Sequence, residues 1–357
     1  MAIIDEIKVE GYEKVIRGID SRTGLRCFIA IHNTALGPAM GGTRIYPYAT
    51  EEEALQDVLR LAKGMTYKNA MAELGLGGGK AVIIADPRKD KSAQLLLSYG
   101  DVVDTLKGKY ITAEDVGTNT HDMSIVRNRT RYVAALPHEK SSGDPSRFTA
   151  WGVFRGMKAI AQFLWSSPSL AGKTVAIQGL GNVGAKLAHL LFWEGADLIL
   201  CDTNNRTTHE VARTYGAKVV SPADILGVEC DILSPCAMGD IFTETTLPRL
   251  RCQAIAGSAN NQLHTPKIGE ELFLKGIIYA PDYVINAGGI INAVTEFDAG
   301  GYNPNKARDR VNQIYDHLLF LFMTSKQKHK AVNLVADEIV EQKLAKQIGR
   351  RDHPILF

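Results

Sequence analysis

The chain has 357 residues, 45% of them hydrophobic and 22% charged, with a formal net charge of +2. That length exceeds the roughly 250–300 residues at which a single core stops growing, so two domains are expected. A charge so close to zero gives no field to draw nucleic acid or an anionic membrane, and no run reaches the roughly 18 apolar residues of a membrane span.

The opening M-A-I-I-D-E-I-K lacks the basic start and long apolar stretch of a signal peptide. Five cysteines (Cys27, Cys201, Cys230, Cys236, Cys252) are odd in number and form no C-x-x-C pair. Reduced thiols in a cytoplasm fit this pattern, with neither a disulfide framework nor metal-ligand spacing.

Cys27 to His32 (C-F-I-A-I-H) reads as a strand, followed by G-P-A-M-G-G-T-R, where Gly37, Gly41 and Gly42 let backbone approach a ligand. Thr50 opens a helix, with Glu53 three residues later completing a capping box. Leu55, Val58, Leu59, Ala62 and Met65 recur at helical spacing, which places Lys68 at the end of the buried side. From Lys68 to Lys80 the chain reads K-N-A-M-A-E-L-G-L-G-G-G-K, and Lys80 enters the apolar strand A-V-I-I-A. A lysine there can sit in a desolvated cleft, where its pKa falls toward the range of proton exchange. A glycine-rich turn with two surface lysines accounts for the same residues, so on the residues alone both readings stand. A phosphate loop is excluded, because Leu74 stands where that motif needs glycine and Ala81 where it needs Ser or Thr.

Ser92 starts a helix through Leu95, Leu96, Tyr99 and Val103, and the strand Lys109-Tyr-Ile-Thr delivers Glu114 and Asp115. Such an acid pair is either solvated or, at a strand end of an α/β protein, part of a site. Between about Arg127 and Ser146 apolar periodicity is lost, as in a linker or hinge.

An amphipathic helix from about Thr149 to Leu164 opens the second half. T-V-A-I-Q-G-L-G-N-V-G then places Gly179, Gly181, Asn182, Val183 and Gly184 between a strand and a helix. A G-x-G-x-x-G in that setting binds a dinucleotide pyrophosphate at the helix N-terminus, although a strand, turn and helix without cofactor share the pattern. Asp202, 23 residues after Gly179 (202 − 179), ends the next strand where an acid takes the adenosine ribose hydroxyls. This points to NAD over NADP, with Arg206 as the counter-signal. Strands are expected over Cys230–Ala237, Ala254–Asn261 and Gly276–Gly289, each ending in small or amide residues such as Ala237, Asn260 and Asn261, as befits backbone beside a nicotinamide and substrate. Amphipathic stretches around Val311–Phe322 and Ala331–Leu344 are expected to return to the first domain.

Taken together, G-P-A-M-G-G-T-R, G-M-T-Y-K, G-G-G-K, I-T-A-E-D-V-G, G-L-G-N-V-G, G-S-A-N-N-Q-L and A-P-D-Y-V-I-N-A-G-G resemble the glutamate, leucine, phenylalanine and valine dehydrogenase family over nearly the whole chain, and its leucine-acting branch most closely. The resemblance implies an α/β fold of two domains: an N-terminal substrate and oligomerisation domain, about 1–132 and completed by helices from about 325–357, and a doubly wound, Rossmann-type NAD domain at about 147–324. It implies NAD-dependent oxidative deamination of a hydrophobic L-amino acid to its 2-oxo acid and ammonia, by a cytoplasmic homo-oligomer, an octamer or a dimer. Lys80 and Asp115 would be catalytic, Lys68 would pair with the α-carboxylate, and Gly41, Gly42 and Asn261 would lie against substrate. Thr149 would hold the nicotinamide amide.

Met40, Ala113, Ile290 and Ala293 would face the substrate side chain: Ala113 favours a branched aliphatic, while Ala293 leaves room for an aromatic one. Two departures from the family pattern stand out, Asp240 in C-A-M-G-D and Ala293 in I-I-N-A. A 2-hydroxy acid dehydrogenase would instead want a His/Arg/Asp constellation, and a non-enzymatic NAD sensor would not need the two lysines.

Overall fold

The computed structural model describes residues 2–136, 141–298 and 300–355. It divides into two compact units, one of Met1–Asp144, Ala293–Pro304 and Val340–Phe357, the other of Pro145–Asn292 and Asn305–Ile339.

The first unit runs β1 (Ile3–Glu6), β2 (Lys14–Asp20), β3 (Leu25–Asn33), β4 (Ala39–Tyr46), α1 (Glu51–Met71), β5 (Gly77–Ile84), α2 (Ala93–Asp104), β6 (Tyr110–Glu114) and α3 (Thr120–Arg127). Its strands form one sheet in the order β1-β2-β3-β5-β4-β6. β1, β2, β3 and β5 pair antiparallel, whereas β4 pairs parallel with both β5 and β6. Every residue of β5 is buried because the sheet is covered on both faces. Phe28, Ala30 and Val82 pack on Ala54, Val58 and Ala62 of α1, while Cys27, Ile29 and Ile83 pack on Leu95, Leu96 and Tyr99 of α2. This is the two-residue alternation of a strand, matched to a helical stripe on each side.

The Thr50 side chain caps α1 by accepting the Glu53 N–H, a bond worth about 1 kcal/mol. The expected box is not closed on Thr50: the Glu53 carboxylate accepts from the N–H of Ala49 at 2.9 Å. Leu55 and Met65 are only half-buried, and Thr66, Tyr67 and Asn69 turn inward instead. Of the glycines that read as a loop before Lys80, Gly77, Gly78 and Gly79 lie inside β5 itself, and only Gly75 precedes it. Nor is the segment after Arg127 an open linker. Val133 bridges to Thr112, and the Glu296 carboxylate accepts from the Ser142 N–H (2.6 Å), the Ser141 hydroxyl (2.8 Å) and the Ala135 N–H (3.2 Å).

The second unit contains α4 (Ser146–Trp165), β7 (Thr174–Gln178), α5 (Asn182–Trp193), β8 (Asp197–Cys201), α6 (Asn205–Tyr215), β9 (Lys218–Val219), β10 (Cys230–Pro235), β11 (Cys252–Ile255), α7 (Pro266–Leu274), β12 (Ile278–Tyr279) and α8 (Asp282–Ile285). There follow α9 (Gly288–Val294), α10 (Pro304–Asn312), α11 (Ile314–Lys328) and α12 (Val332–Ala345). All strand pairings are parallel, in the order β9-β8-β7-β10-β11-β12. Counted from β7 this is 3-2-1-4-5-6, the doubly wound order, with its reversal between β7 and β10.

The last three strands are shorter than the sequence suggests. β10 stops at Pro235, β11 at Ile255, and β12 has two residues before Pro281, which cannot donate to a ladder, sets the start of α8. Ile290 and Ala293 therefore ride on a helix. α11 packs on α4, through contacts such as Phe163 with Phe322, so the return to the first unit begins at Val340 and not near 325. Among the described residues no helix is long and apolar enough to cross a membrane.

Candidate active site

Lys80, in mid-β5, is 5% exposed, and its Nζ lies 3.0 Å from Oδ2 of Asp115. Asp115 sits one residue beyond β6, where its N–H bonds Thr118 Oγ1 at 2.8 Å and Thr118 in turn donates to the Thr43 carbonyl at 2.9 Å. A third strand contributes Arg44, whose Nε is 3.3 Å from the same Asp115 oxygen. Its Nη1 is 2.8 Å from Asp57 Oδ2, which also accepts the Tyr48 hydroxyl at 2.6 Å. Burial alone pushes Asp115 upward, but Lys80 and then Arg44 outweigh it and hold the carboxyl at about 2. Its neighbour behaves oppositely: burial, then Asp144, Asp115 and Asp122, push Glu114 up to about 7. The two adjacent acids are thus separated in protonation, the condition for giving them different tasks.

Met40, Gly41 and Gly42 lie on β4, with Met40 paired to Ile111 and Gly42 to Ala113 on β6. Met40 is fully buried and Ala113 half-buried. A Cβ on Gly41 would strike the Gly79 carbonyl, and one on Gly42 the Glu114 carbonyl and Asp115 Cβ. Close strand packing is therefore a physical reason for glycine at both positions, beside the ligand approach expected from sequence. Lys68 is half-buried in the last turn of α1, and Ala293 is buried in the first unit.

In the second unit Gly179 turns with φ 97°, and a Cβ on Gly184 would meet the Gly179 carbonyl. Gly181 is exposed, has nothing within 4 Å of a built Cβ, and starts α5 with no side-chain cap. The first N–H groups of α5, from Asn182, Val183 and Gly184, thus have no side-chain cap at the positive end of the helix, which suits a pyrophosphate. Ala237 abuts Gly179 across the β7/β10 reversal. Asp202 holds the loop itself, accepting the Leu180 N–H at 2.7 Å and the Asn204 N–H at 2.8 Å. Arg206 lies along α6, its Nε 2.9 Å from Glu210.

Asn260 Oδ1 accepts from Asn286 at 2.8 Å, and Asn261, at φ 51°, accepts the Asp240 N–H at 2.7 Å. Thr149 Oγ1 bonds the Pro145 carbonyl at 3.1 Å and lies next to Gly289, and Ile290 is half-buried on α9. Among the described residues the side-chain oxygens of Gln178 and Asn286 are buried without a donor. Gln178 ends β7, at the carboxyl edge of the sheet where a dinucleotide's hydroxyls supply donors, and Asn286 ends α8, beside Asn260. The residues fit the cofactor.

Asp240 takes a left-handed conformation (φ 62°) that costs glycine nothing, with its carboxylate 3.1 Å from His264 Nδ1. Sequence reasoning gave no role to Arg44, Asp57 or Tyr48. The signal was present for Arg44, since strand alternation puts it on the same face of β4 as Gly42.

The model of the Glu/Leu/Phe/Val dehydrogenase dimerisation domain matches residues 14–132, and that of Glutamate/Leucine/Phenylalanine/Valine dehydrogenase matches residues 196–346. The chain is 49% identical over 345 residues to the leucine dehydrogenase of Geobacillus stearothermophilus, covering 96% of this chain and 94% of that one. It is 48% identical over 345 residues to that of Thermoactinomyces intermedius, with the same coverage. Among solved structures it is similar to L-tryptophan dehydrogenase from Nostoc punctiforme, with TM-score 0.79 and 43% identity, covering 94% of this chain and 96% of that one. Likeness of this extent, spanning the buried Lys80–Asp115 pair and the β7–α5 turn alike, shows that the chain belongs to the glutamate/leucine/phenylalanine/valine dehydrogenase family.

Proposed function

We propose that the chain catalyses the reversible, NAD-dependent oxidative deamination of a hydrophobic L-amino acid, with leucine and other branched aliphatics favoured, to the 2-oxo acid and ammonia. Its family makes it an amino acid dehydrogenase that uses a nicotinamide cofactor. The observation that carries the reading is the buried contact between Lys80 and Asp115, presented by β5 and by the end of β6, the two strands that flank β4 in one sheet.

When bound, the nicotinamide accepts the α-hydrogen as hydride. The chain's own residues do the rest. Lys68 pairs with the substrate α-carboxylate. Lys80 moves the proton of the water that adds to the imine carbon, and Asp115, kept ionised by Lys80 and Arg44, orients Lys80 and takes protons from the amino group. Asp202 favours ribose hydroxyls over a 2′-phosphate, and the pairing of Arg206 with Glu210 supports that preference. Gly179 to Gly184, with Ala237, Asn260 and Thr149, are assigned to the cofactor.

Met40, Ala113, Ile290 and Ala293 carry no charge, and an unpaired second carboxylate among them would be costly to bury, so glutamate and aspartate are disfavoured. The leucine dehydrogenases at 48–49% identity support an aliphatic side chain. The small, buried Ala293 favours a second reading, the same reaction on aromatic amino acids. A homo-oligomer built through the first unit fits the dimerisation-domain match.

The test is NAD and NADP reduction with a panel of L-amino acids and 2-hydroxy acids. Turnover of hydroxy acids, or of no amino acid at all, would overturn the proposal.

A further inference from the structure

Lys68 and Lys80 sit at the two ends of one short connection. Lys68 is in the last turn of α1, Lys80 is in β5, and only residues 72–76 lie between these elements. That connection is seized by the last residues of the chain. The Tyr67 hydroxyl donates to the Glu341 carboxylate. Lys343 Nζ is 2.7 Å from Glu73 and 3.4 Å from the Met71 carbonyl. Arg351 then closes the strap: Nε donates to the Gly75 carbonyl at 3.1 Å, Nη2 to the Leu74 carbonyl at 3.2 Å, and its own N–H to the Leu36 carbonyl at 2.9 Å. Gly75 is left-handed (φ 63°), and a Cβ built on it would lie 3.0 Å from that of Arg351, so glycine is required where the two segments meet.

The geometry suits a guanidinium in particular. Two successive carbonyls turned outward need two donors held in a fixed plane, which a fork supplies and a single ammonium does not. The bond to Leu36 extends the grip to the entry of β4, three residues before Ala39, so one side chain and its backbone hold the entrances of β5, which carries Lys80, and of β4, which carries Gly41, Gly42 and Arg44. Glu341 is exposed and Lys343 and Arg351 are half-buried, so the strap grips from the edge of the core.

We propose that Arg351 is a positioning residue for the reaction: it fixes the turn between the lysine that holds the substrate carboxylate and the lysine that works at the α-carbon. This rests on the roles assigned above to Lys68 and Lys80.

Arg351→Ala is expected to raise KM for leucine about 5- to 20-fold, with kcat lowered less, and with NADH affinity and thermal midpoint close to those of the parent. Arg351→Lys should recover only a small part of the loss. In a Lys68→Ala background, Arg351→Ala should raise KM less than 2-fold further, because the residue acts through Lys68. Glu341→Gln, which loosens the same strap at Tyr67 with an isosteric change, should raise KM in the same direction by a smaller factor and guards against misfolding of the first variant. Parent-like kinetics for Arg351→Ala, while Lys68→Ala raises KM, overturns the positioning role and leaves the proposed function intact. A Lys68→Ala variant with unchanged KM overturns both. If Arg351→Ala loses NADH affinity and thermal stability together with kcat, the strap is a general structural element, and the positioning role falls.

Discussion

Arg44 and Lys80 converge on a single oxygen: Arg44 Nε lies 3.3 Å, and Lys80 Nζ 3.0 Å, from Oδ2 of Asp115. Lys80 comes from β5 and Arg44 from the adjacent β4, so the carboxylate is gripped by two neighbouring strands of one sheet. In the fold Asp115 is held at about 2, below the ordinary carboxylate value near 4. Its ionised form therefore contributes stability that is fully present above about pH 4 and is lost as pH falls toward about 2.

Replacing Arg44 by Gln removes one of the two cations that oppose burial. The carboxyl then titrates higher. The acidic limb of the kcat/KM profile should move up with it, and thermal stability should begin to fall at a higher pH than in the parent. Both are read from unfolding series taken down to pH 2 and from activity over the acidic range that the parent tolerates. An unmoved limb would show that Lys80 alone sets Asp115.

Glu114 gives the opposite sign. Its carboxyl is raised to about 7, so the fold binds a proton that the unfolded chain has released above the ordinary value near 4.5. Stability should fall as pH rises from about 4.5 to about 7 and stay reduced above that. Glu114→Gln removes the ionisation and should raise the thermal midpoint at pH 8 more than at pH 5, as calorimetry at the two values will show. An equal change at both would leave the acid cluster without influence.

Lys80→Ala is expected to lower kcat by about 10² to 10⁴, the usual worth of a general acid–base group. NADH binding should persist, because the cofactor contacts assigned here lie in the other unit. Single-turnover rates and NADH fluorescence titration separate the two. Retention of more than about a tenth of kcat removes Lys80 from the chemistry.

Asp202 accepts from Leu180 in the β7–α5 turn and from Thr203 and Asn204 in its own loop. Asp202→Ala should therefore do two things at once: narrow the preference for NAD over NADP, and raise KM for both cofactors as the loop loosens. Comparing kcat/KM for each cofactor before and after is the check. Equal use of both by the parent enzyme would assign the ribose site to Arg206 instead.

For the substrate, leucine should lead phenylalanine and tryptophan by about 10-fold in kcat/KM, within the reach of apolar pocket discrimination. Ala293→Val fills space worth about two methyl groups, each of roughly 0.8 kcal/mol, and should widen that lead. If phenylalanine or tryptophan proves the better substrate, Ala293 governs the pocket and Ala113 does not.

Much of this was legible in the order of residues. The turn at Gly179 to Gly184 and the capping Thr50 follow from local rules, glycine spacing and a hydroxyl before a helix, whereas the joint role of Lys80 and Asp115 came from the family resemblance. What escaped depended on partners distant in sequence. Strand alternation puts Arg44 on the Gly42 face of β4 but does not name Asp115, 71 residues on, as its partner, and nothing around Asp115 says that its titration will part from that of Glu114. The extent of β12 was overestimated because an apolar run looks the same in a strand and in a buried helix, and only Pro281 marked the change. The segment after Arg127 read as a linker because the carboxylate that holds it, Glu296, arrives more than 150 residues later.

The crowding around the glycines bears on any attempt to redesign this enzyme by directed evolution. A side chain on Gly41 or Gly42 meets backbone of β5 or β6, and one on Gly78 meets Thr66 in α1, so saturating these codons would fill a library with misfolded clones. Diversity is better spent on Ala113 and Ile290, both half-buried, where new shapes can be sampled without prising the strands apart.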